Sequence, residues 1–142
     1  MREWVTMISE PGGSMRIGSE GDIVAARKVV RNLAVALGFG VTDVTRIVTA
    51  ASELTRNVFR YAGSGLMHWR RVDTGKSVGI ELIFEDKGPG IPDVGKAMET
   101  GYTTGGGLGM GLPGAKKLMD EMEIQSETGR GTRVMVKKWR RS

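Results

Sequence analysis

A chain of 142 residues and 15.3 kDa is the size of one domain, 1–142, built round one core. It has no cysteine and a single histidine, His68, which excludes a disulfide scaffold, a thiol nucleophile and thiolate or multi-histidine metal sites, and argues against a Ser-His-Asp triad. Twenty-one Lys and Arg against 16 Asp and Glu leave a net charge of +5, which suits an acidic partner (nucleotide, nucleic acid, protein face or membrane) or simply a solvated surface.

Trp4 to Ile8 is apolar and β-prone, and Pro11-Gly12-Gly13 is a turn signal; Met15 and Ile17 then alternate with polar residues. The start is therefore two short strands, or one strand and a tail. Asp22 is positioned as a helix cap. Ile23, Ala26, Val30, Leu33, Ala34 and Leu37 recur at helical spacing, and Gly38 is placed to end the run. Thr42 or Asp43 caps a second helix, whose apolar stripe runs Val44, Ile47, Val48, Ala51, Leu54, Val58 and Ala62 up to Gly63.

Beyond Gly65 the period changes to two. Leu66–Val72 and Val78–Glu85 read as strands joined by the turn Asp73-Thr74-Gly75-Lys76. From Gly88 to Gly114, ten of 27 residues are glycine. Pro113 suits the first turn of a third helix carrying Leu112, Ala115, Leu118 and Met119. Met122–Glu127 and Thr132–Trp139 are the last strands, about the turn Thr128-Gly129-Arg130-Gly131. This order predicts an α/β (α+β) two-layer sandwich: a mixed, mainly antiparallel sheet with helices on one face.

So many glycines lose much backbone entropy on ordering, and a loop that closes round phosphate is a natural compensation. A merely flexible surface loop is the plain alternative. Gly109-Met110-Gly111-Leu112-Pro113-Gly114 fits G-x-G-x-x-G but does not follow a strand, so it is not a dinucleotide fingerprint. Gly114 is followed by Ala115-Lys116, so the P-loop pattern is missed as well. The wider constellation carries more. Glu53 and Asn57 lie four apart on one helix face; Asp86 opens Asp86-Lys87-Gly88-Pro89-Gly90; Gly105 to Leu112 enters the third helix; and Gly131-Thr132 starts the last strand.

In that order these segments resemble the N, G1, G2 and GT boxes of the GHKL ATPase/kinase superfamily, with its Bergerat-type nucleotide fold. Gly21-Asp22-Ile23-Val24-Ala25-Ala26-Arg27, Leu37-Gly38-Phe39-Gly40, Tyr61-Ala62-Gly63 and the run from Gly105 through Asp120-Glu121 are similar to the RsbT-like serine/threonine kinases of bacterial stress signalling. The resemblance implies ATP and Mg2+ as ligands. Asp86 would accept a hydrogen bond from the adenine amino group, with Gly88 and Gly90 passing close to the base and Thr132 adding a hydroxyl. Asn57 would ligate magnesium. Gly107, Leu108, Gly109, Met110 and Gly111 would offer backbone N–H groups to the phosphates, and Glu53 would be the general base. Read alone, Asp86 is a turn-opening residue, Thr132 a β-prone one, and Glu53 with Asn57 a solvated helix face.

Two departures stand out. Superfamily relatives often carry a basic residue four places after the asparagine, where this chain has Tyr61, and Glu99 to Ala115 contains no Lys or Arg. The charge of the transferred phosphoryl must then be met by magnesium, helix N–H groups, Arg60, Lys116 or a partner. The resemblance implies phosphorylation of STAS-domain regulators of a stressosome-type pathway and, on release, activation of a PP2C-type phosphatase. The alternative is a nucleotide-binding anti-sigma factor with kinase activity on an anti-anti-sigma factor. A histidine-kinase catalytic domain fits less well, since no dimerisation hairpin with an acceptor histidine is evident. The longest apolar stretch, Leu33–Val41, is far short of the roughly 20 residues that span a bilayer, and the acidic Glu3 argues against a secretory signal. A cytoplasmic protein without membrane or nucleic-acid partners is expected.

Overall fold

The computed structural model describes residues 12–91, 94, 98 and 111–141. In chain order the elements are β1 (Gly12–Ile17), α1 (Gly21–Ala36), α2 (Val41–Ala62), β2 (Gly65–Asp73), β3 (Val78–Asp86), α3 (Gly111–Leu118), β4 (Glu121–Glu127) and β5 (Gly131–Trp139). The strands form one sheet in the order β1-β2-β3-β5-β4, and every pairing among them is antiparallel. The strand expected over Trp4–Ile8 lies outside the described residues.

The period-two pattern decides which face is covered. Ile80, Leu82 and Phe84 of β3 alternate inward and are at most 1 % exposed. Their neighbours in register are Val134 and Val136 of β5 and Met67 of β2, also buried. Against this surface lies the stripe of α2, with Ile47, Ala51 and Leu54 enclosed; α1 packs on α2 through Ala26, Val30 and Ala34. The result is a two-layer sandwich with helices on one face, as the element order requires.

The far face carries charge in rows. Arg70 Nε meets Glu81 Oε1 at 2.7 Å, and Lys137 sits between Glu81 and Glu121 at 3.7 and 3.8 Å. His68 is buried there, with Nδ1 2.5 Å from Ser14 Oγ and Nε2 2.7 Å from Glu85 Oε2, so both ring nitrogens are satisfied across three strands.

Several local expectations hold and some do not. Gly38 ends α1 as anticipated: at φ +89° its N–H donates to Val35 O while the Phe39 N–H donates to Ala34 O, a Schellman closure. Asp22 is not the cap. It lies inside the first turn and accepts from the Gly18 and Ser19 N–H groups at 2.7 and 3.0 Å, holding the incoming loop instead. Those N–H groups draw its carboxyl below the ordinary value. Neither Thr42 nor Asp43 caps α2, which starts earlier, after Gly40. Asp43 is buried and holds Arg46 at 2.9 Å, with Lys138 Nζ at 3.8 Å. Gly12 and Gly13 belong to β1 rather than to a turn, because Trp69 of β2 lies across the strand; a Cβ on Gly13 would stand 2.6 Å from its ring.

Candidate functional site

Asp86 is the last residue of β3, and β5 pairs it directly with Thr132. The chain turns at once: Asp86 Oδ1 accepts the Gly88 N–H at 2.8 Å, an Asx-type turn. Asp86 is half-buried. That burial pushes its carboxyl above the ordinary 3.8, and the Glu85 charge adds to the push, while the Gly88 and Thr132 N–H groups oppose it. The corner thus holds an acceptor that is costly to ionise without a partner.

The glycines of this corner are needed for close backbone packing. A Cβ on Gly88 would lie 2.6 Å from Ala62 Cβ, and one on Gly131, at φ +124°, would lie 2.0 Å from Asp86 O. Gly90, at φ +80°, would drive a Cβ to 2.4 Å from Glu127 O. The sequence assigned Gly88 and Gly90 to the approach of a base; the structure shows that the protein's own backbone already requires them.

The same contacts set α2 against the corner. Gly88 rests on Ala62, and Gly65 separates Val58 from the Glu85 carbonyl and the Asp86 Cβ. At 1.5 Å per residue, Asn57 lies about 8 Å and Glu53 about 14 Å along the helix from Ala62. Both are partly exposed, on one face of α2. Glu53 is not a solvated carboxylate: its Oε2 is paired with Arg56 Nη1 one turn on.

Helix α3 packs on α2, and its far end is fixed. Lys138, only 4 % exposed, donates to Leu118 O at 2.8 Å and stands 3.6 Å from Asp120 and 3.8 Å from Asp43 at the start of α2. The C-terminus of α3 is therefore anchored level with the first turn of α2. Eight residues span about 12 Å, and the helix packs on α2. Gly111 begins that helix at φ +41°. Gly107, Leu108, Gly109 and Met110 lie outside the described residues.

The structure thus brings Asp86, Gly88, Gly90 and Thr132 to one corner of the sheet, set against the C-terminal end of the helix that carries Asn57 and Glu53 further back. Sequence reasoning missed Ser126, which bridges the loop and the last strand: the Ile91 N–H donates to its Oγ at 2.7 Å, and Thr132 Oγ1 lies 2.9 Å away. Counting back from the Thr128–Gly131 turn would have placed Ser126 opposite Thr132. Lys138 was also missed, since a lysine one residue from the end of the last strand carries no sign of burial. Among the described residues no cluster of His, Asp or Glu forms a ready metal site. The single amide oxygen of Asn57 therefore fits magnesium only as an ion that arrives with phosphate ligands. A shallow cleft of about 470 Å³ at the same end has Asp86, Ser126 and Thr132 in its wall together with Glu85, Gln125 and Arg133 of the charged face.

A carboxylate acceptor at a strand end, a helix presenting an amide and a carboxylate, and a second helix entering through glycine together define a nucleotide-binding domain of the Bergerat type. The chain belongs to the histidine kinase-like ATPase domain family, whose model matches residues 19–138. It is 54 % identical over 128 residues to the serine/threonine-protein kinase RsbT of Bacillus subtilis, covering 89 % of this chain and 96 % of that one. It is also 34 % identical over 120 residues to the anti-sigma F factor of a Thermoanaerobacter species, covering 80 % and 82 %. Among solved structures, the RsbU and RsbW domains of a Mycobacterium tuberculosis protein match with a TM-score of 0.57 at 18 % identity, over 92 % of this chain and 33 % of that longer one. The mycobacterial sensor histidine kinase MprB matches with a TM-score of 0.56 at 18 % identity, over 91 % and 97 %. These last two bear on the fold alone. The chain is a protein kinase of the serine/threonine type and uses ATP. No described helix is long and apolar enough to cross a membrane.

Proposed function

We propose that the chain transfers the γ-phosphate of ATP to a serine or threonine of small STAS-domain regulators, in a partner-switching pathway of the cytoplasm, and that the released kinase activates a PP2C-type phosphatase. The observation that carries the nucleotide part is the Asp86–Thr132 pair at the strand end, set against the helix that bears Asn57 and Glu53. The choice of acceptor and partners is supported by the relationship to the Bacillus subtilis kinase.

In this reading the Asp86 carboxylate accepts the adenine 6-amino hydrogen beside the Gly88 and Thr132 N–H groups. Asn57 would hold magnesium by its amide oxygen, and Gly107 to Gly111 would be the segment that offers N–H groups to the phosphates. Magnesium bound with the phosphates supplies charge neutralisation. Glu53 takes the proton of the acceptor hydroxyl as its oxygen bonds to the γ-phosphorus and the bond to the β–γ bridging oxygen breaks, leaving ADP and a phosphoester. Glu53 Oε2 is held by Arg56, so the acceptor hydroxyl meets either the other oxygen or competes with that ion pair. In the latter case the freed Arg56 guanidinium lies one turn from Glu53 and adds to the candidates, Arg60 and Lys116, for meeting phosphoryl charge.

The anti-sigma relatives favour a second reading, in which the same site phosphorylates an anti-anti-sigma factor and the protein holds a sigma factor. Incubation with labelled ATP and a STAS protein, beside a pull-down with sigma factors, separates the two. Phosphate on the STAS protein with no sigma factor retained supports the first.

A further inference from the structure

Ser126 lies on β4 opposite Thr132 and has one proton and two lone pairs to distribute. One lone pair takes the Ile91 N–H at 2.7 Å. Two oxygens compete for the proton: Gly131 O at 3.2 Å and Thr132 Oγ1 at 2.9 Å. If the proton goes to Gly131 O, Thr132 must spend its own proton on Ser126 and can show a ligand only lone pairs. If it goes to Thr132, the Thr132 proton is released to face the site.

The frame around this pair is stiff. Gly129 N–H donates to Pro89 O at 2.8 Å, and Gly90 has no room for a Cβ beside Glu127 O. The loop after Asp86 is therefore stapled to the β4–β5 turn, and Ser126 Oγ bonds both this loop and the Thr132 hydroxyl. The short bond from Ile91 fixes the Ser126 rotamer and, by polarising the hydroxyl, strengthens it as a donor.

We propose that Ser126 is a positioning residue that turns the Thr132 hydroxyl into a hydrogen-bond donor toward the base, directly or through one water, so that the site reads an unprotonated ring nitrogen next to the amino group that Asp86 takes. This rests on the reading of Asp86 as the adenine acceptor. Adenine is the purine that offers an amino donor and a bare ring nitrogen side by side. Guanine offers a carbonyl and a ring N–H at those places, which meet an acceptor and a donor the wrong way round.

The test is calorimetric titration of the full chain with magnesium-ATP and with magnesium-1-deaza-ATP, in which a C–H replaces ring nitrogen 1. Wild type prefers ATP by about five- to tenfold, the worth of one net hydrogen bond. Ser126→Ala leaves the Thr132 hydroxyl its proton but frees it to rotate away from the base, so that the preference for ATP is reduced, and Ser126→Thr restores it. A purely structural serine would weaken both nucleotides alike and keep the ratio; a wild-type ratio in Ser126→Ala overturns the proposal. Should Ser126→Ala not fold, Ser126→Cys, a weak donor of similar size, must show a reduced ratio, and an unchanged one overturns the proposal equally. If Asp86→Asn binds ATP as tightly as wild type, the reading of Asp86 has failed and the proposal goes with it. An intact Asp86 effect beside an unchanged Ser126→Ala ratio condemns the role of Ser126 alone.

Discussion

Asp86→Asn separates binding from stability at a single atom. In the wild type, Oδ1 is committed to the Gly88 N–H at 2.8 Å, and the Thr132 N–H also faces the carboxyl. An asparagine keeps its carbonyl oxygen for these donors and must turn its amide NH2 toward the ligand. The adenine amino group then meets a donor. The loss has two parts: a hydrogen bond to a charged acceptor, about 1.5–3 kcal/mol, and a buried donor left unmatched, about 1–3 kcal/mol. Together these come to about 2.5–6 kcal/mol, or roughly a 60- to 20,000-fold fall in ATP affinity. Stability moves the other way, because burial already disfavours the ionised carboxyl and asparagine removes that charge. Calorimetric titration with magnesium-ATP, beside thermal melts without nucleotide, reads both. Binding within threefold of wild type would refute the assignment. So would a large fall in melting temperature, since the binding loss would then be explained by damage to the corner.

The raised Asp86 carboxyl predicts a pH dependence of opposite sign for binding and for folding. Binding requires the ionised form, so ATP affinity should start to fall on the acid side at a pH above the ordinary 3.8, and Asp86→Asn should lack that fall. Folding gains from protonation, because the folded carboxyl binds its proton more tightly than the unfolded one; melting of wild type relative to Asp86→Asn should improve as pH drops through the same window. Gly131→Ala should be severe: a Cβ 2.0 Å from Asp86 O at φ +124° cannot be relieved by a side-chain shift, and a loss of several kcal/mol in denaturant melts is expected, with nucleotide binding lost as well. Lys138→Met strands Leu118 O and removes one of two cations from Asp43. It should cost about 3 kcal/mol in denaturant melts, and an unchanged midpoint would show that α3 is not held from that end.

Where the chain obeys a simple period, the sequence reveals the structure. The inward alternation of Ile80, Leu82 and Phe84, the α2 stripe and the Gly38 and Gly63 stops all fall where spacing puts them. The Glu53–Asn57 face and the Asp86 turn were legible for the same local reason. What was not legible depends on partners distant in the chain. Asp22 and Asp43 look like caps, but Asp22 holds the preceding loop and Asp43 is claimed by Arg46 and Lys138. Gly12-Gly13 looks like a turn until Trp69 is known to lie over it. Ser126 acquires a role only when the β4–β5 register sets it against Thr132 and the Asp86 loop folds back to it. Arg56 was in view as a neighbour of Glu53, but a sequence cannot say whether two charges three apart on a helix are joined or solvated.

Phosphoryl transfer by Glu53 is the claim on which the account stands, and a paired measurement on Glu53→Ala reads it directly. Labelled ATP, magnesium and a STAS-domain protein are mixed with wild type or variant, and phosphoserine and phosphothreonine are followed in time while ATP affinity is titrated in parallel. The account predicts phosphate on the STAS protein with wild type, and with Glu53→Ala an ATP affinity within a few-fold of wild type but transfer slowed by about 10²- to 10⁴-fold. Transfer at the wild-type rate by Glu53→Ala, or none by wild type to any STAS protein offered, would contradict it.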